Sequence, residues 1–150
     1  MKLEWLYHTG FVVSDMERSL AFYKALGFKE ERNAILEGDW ISQVLGYPDV
    51  RVHIVFLGLG DGRHSLELLQ YLNPKGKKLA PRELRTVGSC HVGVLVDNLE
   101  EWYRELSAKG VKFINPPLYR QVQYPWARAA CYLQDPDGNW LEFIERAPGP

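Results

Sequence analysis

Four side chains in this sequence have the types and spacing to act on one ligand: His8, Glu67, His91 and Glu142. Two imidazoles and two carboxylates form a donor set suited to a divalent Zn, Ni, Co, Mn or Fe ion. Each glutamate stands inside an apolar run, Leu66-Glu67-Leu68 and Leu141-Glu142-Phe143. A carboxylate buried alone costs several kcal/mol unless it is paired or coordinated, so two of them call for a common cation.

Taken singly, none of the four is persuasive, because a histidine near a strand start is usually structural and a glutamate in an alternating strand usually faces water. Their positions within an internal repeat change that reading. His8-Thr-Gly-Phe-Val-Val-Ser-Asp15 corresponds to His91-Val-Gly-Val-Leu-Val-Asp97, with one extra residue in the first copy. Asp61-Gly-Arg-His-Ser-Leu-Glu67 corresponds to Asp135-Pro-Asp-Gly-Asn-Trp-Leu-Glu142, an Asp-Gly turn feeding an apolar strand that carries one glutamate. Alternation places Leu6, His8 and Gly10 on one strand face, and Ser89, His91 and Gly93 likewise. Glu67 shares a face with Ser65 and Leu69, and Glu142 with Trp140 and Ile144.

The elements that must position these residues follow the same repeat. Ser14 and Glu17 have capping-box spacing, and Leu20, Tyr23 and Leu26 recur at helical spacing up to Gly27, predicting a helix over 15–26. In the second copy Asp97 or Asn98 caps a helix with the stripe Leu99, Trp102 and Leu106, ended by Gly110. Residues 50–57 and 129–134 read as strands, and 29–34 and 112–114 as shorter ones. A brief helix is expected over 40–45, capped by Asp39 and ended by Gly46. The expected fold class is therefore α+β: two βαβββ modules forming a curved mixed sheet around a metal site. Module one covers about 1–72 and module two about 87–150, within a single domain of 150 residues. The Pro-, Gly- and Lys-rich stretch over about 73–86 is the linker, its Lys75, Lys77, Lys78, Arg82 and Arg85 read as solvated.

Two further histidines lack repeat partners. His53, in the strand Arg51-Val-His-Ile-Val-Phe, is expected to line the pocket, whereas His64 in its turn is expected in solvent. The loop over 115–128 carries Tyr124 and Trp126, placed to cover a pocket and contact substrate. Cys90 and Cys131 fit no close-set metal or redox spacing and are read as thiols without a function.

With 18 basic and 19 acidic residues, a net charge of -1 gives no global field to attract nucleic acid or an anionic membrane. No apolar run reaches the roughly 20 residues that span a bilayer, and the first residues lack the pattern of a signal peptide, so a cytoplasmic location is expected.

At these residues the sequence resembles the vicinal oxygen chelate superfamily, which includes glyoxalase I, methylmalonyl-CoA epimerase, extradiol dioxygenases, fosfomycin resistance enzymes and bleomycin-binding proteins. The likeness rests on the His8 and Ser19-Leu-Ala-Phe-Tyr segments with Leu26-Gly-Phe, and on Asp135-Pro-Asp-Gly-Asn-Trp-Leu-Glu-Phe. It implies that His8, Glu67, His91 and Glu142 bind one divalent metal ion, and that Glu142 or Glu67 moves a proton alpha to a metal-chelated carbonyl. A lyase, isomerase or epimerase acting on a small molecule with adjacent oxygens is the implied activity, in a homodimer. Two alternatives remain open: an extradiol-type dioxygenase, for which a second carboxylate is unfavourable, and a non-catalytic drug or metabolite binding protein.

Overall fold

The computed structural model describes residues 2–60, 62, 64–77, 83–120 and 127–147. The chain divides into two compact units, Met1–Ala80 and Pro81–Pro150. In the first unit the order is β1 (His8–Val12), α1 (Met16–Ala25), β2 (Lys29–Glu37), α2 (Asp39–Leu45), β3 (Arg51–Gly58) and β4 (Ser65–Asn73). In the second it is β5 (His91–Val96), α3 (Leu99–Ala108), β6 (Leu118–Tyr119), β7 (Ala129–Gln134) and β8 (Trp140–Glu145). Each unit holds a four-stranded mixed sheet, ordered β1-β4-β3-β2 and β5-β8-β7-β6. First and last strands of each unit pair in parallel, and the other pairs are antiparallel. These are the two βαβββ modules expected from the repeat.

One face of each sheet is covered by its long helix. Met16, Ser19, Leu20 and Tyr23 recur at helical spacing on α1 and are buried, and α1 packs against β4. Phe11, Val55, Leu57, Leu66 and Leu68 form the sheet side of that core. In the second unit α3 packs against β8, with Leu99 and Leu106 buried alongside Cys131, Leu133, Leu141 and Phe143. Trp102 meets Phe143 edge to face at 5.8 Å.

The starts of α1 and α2 differ from expectation in one detail each, and that of α3 falls on one of the two expected caps. Asp15, not Ser14, is the N-cap of α1: its backbone is extended and its Oδ1 accepts from the Arg18 amide at 3.0 Å. The Ser14 hydroxyl instead accepts from the Arg18 guanidinium. Gly38 rather than Asp39 precedes α2, with no side-chain cap. Asn98 caps α3, while Asp97 accepts from the Trp102 indole. The helix ends follow the glycines: Gly27, Gly46 and Gly110 all have φ between 72° and 93°.

The strand expected over 112–114 is reduced to a bridge between Phe113 and Leu133, and β6 forms later at Leu118–Tyr119. Asn115-Pro116-Pro117 separates the two, and consecutive prolines cannot donate to a ladder.

Candidate metal centre

Register carries His8 and Glu67 to one spot in the first unit. Gly10 is the β1 partner of Glu67, and His8 that of Ser65, so all four sit on the sheet face opposite α1. His8 Nε2 lies 3.3 Å from Glu67 Oε2. The second unit repeats this construction: Gly93 partners Glu142, His91 partners Trp140, and His91 Nε2 lies 3.3 Å from Glu142 Oε2. Within each unit the described residues supply a pair of donors, not a group of three or more.

The surroundings of the two pairs match as well. Phe56 of β3 is the register partner of Glu67 and stands edge-on to the His8 ring at 5.3 Å and 81°. Tyr132 of β7 is the partner of Glu142 and stands edge-on to the His91 ring at 5.2 Å and 81°. The imidazoles remain accessible, with 36% and 40% of their side chains exposed, while the carboxylates are more enclosed at 13% and 21%. Burial pushes the Glu67 carboxyl above its usual range, and the neighbouring His8 charge opposes that rise. The Tyr132 phenol is raised by burial first, then by the charge of Glu142 and a hydrogen bond to it.

Two devices hold these strands in place. Three residues after each glutamate, a side chain reaches the first amide of the module's helix: Gln70 Oε1 accepts from Met16 at 3.3 Å, and Glu145 Oε2 from Leu99 at 2.9 Å. Ahead of β8, the buried Asp135 carboxylate accepts from the amides of Asp137 and Asn139 and from the Asn139 side chain, each at 2.8 Å. Gly138 completes that turn with φ 87°.

The other expected site residues fall elsewhere. His53 shares its sheet face with Val55 and Leu57, not with Phe56 and Glu67, and its Nε2 is 2.8 Å from Asn33 Oδ1. His53 therefore does not join the His8–Glu67 face, since side chains alternate along β3. His64 is not a free surface residue: it is half-buried, bonded to Thr9 Oγ1 at 3.0 Å and to the Leu6 carbonyl at 3.1 Å. Tyr124 and Trp126 lie outside the described residues. Phe56, Tyr132, Gly10 and Gly93 went unassigned in the sequence reading, although the repeated His-x-Gly was visible. An added Cβ at Gly10 would meet Glu67 Oε2 at 3.2 Å.

A 3.3 Å gap between imidazole nitrogen and carboxylate oxygen suits one cation. Donors each about 2.1 Å from an ion stand about 3.0 to 3.4 Å apart at octahedral or tetrahedral angles. The donor chemistry and the spacing of each pair thus fit a divalent metal.

Comparison with known proteins agrees on the fold and family. An uncharacterised protein of Bacillus subtilis, YwbC, is 29% identical over 142 residues, covering 93% of this chain and 95% of its own length. A probable chloroplastic lactoylglutathione lyase of Arabidopsis thaliana is 26% identical over 147 residues, 97% of this chain but 37% of that protein. The crystal structure of a glyoxalase family protein from Bacillus cereus superposes with a TM-score of 0.85 at 23% identity, covering 99% of this chain and 97% of that one. The model of the Glyoxalase/Bleomycin resistance protein/Dioxygenase superfamily matches residues 5–143, and with the repeated modules in hand, the chain belongs to that superfamily.

Proposed function

We propose that this protein is a metal-dependent lyase or isomerase in which His8, Glu67, His91 and Glu142 together hold one divalent ion. One observation carries the reading: the same His–Glu pair, at the same 3.3 Å spacing and beside the same kind of aromatic ring, occurs in both units. Members of the superfamily commonly bind a divalent metal and act on small molecules. Four donors require the pair of one unit and the pair of the other, drawn from one chain or from two copies. When bound, such an ion polarises a carbonyl and its neighbouring oxygen, making the alpha proton more acidic.

The chain's own groups then divide the remaining work. A glutamate takes the alpha proton and returns it to the adjacent carbon or to the opposite face, giving isomerisation or epimerisation. The two glutamates are not equivalent for this task. Tyr132 gives Glu142 a hydroxyl to hold it in place, whereas Phe56 gives Glu67 none. Glu67 has no such partner among the described residues, and we assign it the base role, with Glu142 as the anchored carboxylate.

Two substrate classes fit this chemistry, a hemithioacetal and a branched acyl thioester. The test is turnover of each by chelator-stripped protein before and after adding Zn or Ni, with alpha-proton exchange followed in deuterated water. The account expects exchange only after metal is restored, falling by about 10²-fold or more in Glu67→Gln. Full exchange by the stripped protein, or by Glu67→Gln, would overturn it.

A further inference from the structure

A cavity of about 280 Å³ opens beside the His8–Glu67 pair, lined chiefly by Trp5, Tyr7, Glu31, Arg32, Phe56 and Ser65. It lies wholly in the first unit and shares the Phe56 ring with His8. Register explains how one strand presents two charged residues to it. Glu30 pairs with Leu57 and Arg32 with Phe56, so Glu31 is the extra residue of a bulge, and Arg32 follows it beside Phe56. Gly58 leaves the space that the Glu31 carboxylate crosses, since an added Cβ there would collide with it, and Glu31 Oε2 accepts from the Ser65 hydroxyl at 2.6 Å.

Glu31 is therefore engaged, while Arg32 forms no ion pair among the described residues. Trp5 and Tyr7 stand 69% and 44% exposed on the wall, and the Tyr7 ring reaches Phe56 at 6.1 Å. The other end of this face is closed, because Ile41 of α2 packs with Val52 and Ile54 beside Leu69 and Tyr71. Substrate extending from Glu67 along the first unit therefore has open space toward Arg32, not toward α2.

We propose that this cavity is a substrate-tail subsite, in which Arg32 binds a carboxylate and Phe56, Tyr7 and Trp5 cover the apolar stretch leading to it. Arg32 is two strands from Glu67, about 10 Å across the sheet. The substrate class is thus an anionic one, its carboxylate at the Arg32 end and the carbon that loses its proton at the Glu67 end. A guanidinium presents a planar fork matched to a carboxylate, which an uncharged tail does not use. The inference rests on the proposed proton-transfer site for its meaning as substrate recognition, but the cavity is tested without it.

The probes are 4-phenylbutyrate and its neutral amide, titrated into metal-free and Zn-loaded protein and followed by NMR. Wild type should bind the carboxylate about tenfold more tightly than the amide, consistent with one charge-assisted contact. Arg32→Met should remove that preference while leaving the amide affinity and the melting temperature unchanged, and Arg32→Lys should keep part of it. Equal affinity for the two probes in wild type, or a preference that survives in Arg32→Met, would overturn the subsite. Metal content measured on the same samples separates the two ideas: an Arg32-dependent preference in protein that takes up no metal keeps the subsite and sinks the proposed reaction.

Discussion

Gly10 and Gly93 set how closely each carboxylate lies over its own first strand, and the two are not equally tight. A methyl group at Gly10 would meet Glu67 Oε2 and Leu69 Cδ1 at 3.2 Å, whereas at Gly93 the nearest contacts are 3.6 and 3.9 Å. Gly10→Ala should therefore shift Glu67 and weaken metal binding about tenfold or more, while Gly93→Ala leaves it near wild type. Competition with a chelating dye measures both, and equal affinities would contradict the tight packing of Glu67. The thiols differ in the same residue-level way. Cys131 is buried and its pKa is pushed up to about 11 by burial, with Glu100 and Glu142 adding to the rise, whereas Cys90 is exposed. At about pH 8 iodoacetamide should label Cys90 and spare Cys131 in folded protein. The sign of the linked stability follows: with a folded pKa above the ordinary 9.0, Cys131 contributes stability that is complete below pH 9 and lost as pH rises toward 11. Melting curves over that range should fall less steeply for Cys131→Ala.

The turn before β8 does for an element what the glycines do for a side chain. Asp135 is 5% exposed and its carboxylate accepts three hydrogen bonds, so Asp135→Ala leaves buried donors unpaired. A loss of about 2 kcal/mol in urea unfolding is expected, with Asp135→Asn losing less. Ser19 offers the opposite case: its buried hydroxyl has no partner among the described residues, so Ser19→Ala should be neutral or raise stability by up to about 1 kcal/mol. The same elements show how much could be read from sequence. Helix ends were legible because Gly27 and Gly110 are required at positive φ, a local property. The N-cap of α1 was misread because Ser14 and Asp15 are both competent, and only the backbone conformation decides between them. The place of β6 was missed because a two-residue strand has no periodicity to reveal it. Tyr132 beside Glu142, and His53 on the opposite face from Glu67, depend on strand register, which turn geometry sets and composition does not.

Across the whole molecule the repeat is the informative level. It carried both four-stranded sheets and all four proposed ligands, because a motif met twice at matching positions outweighs the weak local preference of any one residue. It also states what a single unit lacks: each module brings one imidazole and one carboxylate, so the proposed ion needs both pairs. No described helix is long and apolar enough to cross a membrane. If two copies share the ligands, chelation should lower the dimer fraction seen by sedimentation, and metal should restore it. The most direct test of the account is elemental analysis of the purified protein and of His91→Ala and Glu142→Ala, each first shown to be folded. The account predicts about one divalent ion per chain in wild type and loss of it in both variants. Stoichiometric metal retained in either variant, or none taken up by wild type offered Zn, Ni, Co, Mn and Fe(II), would contradict it.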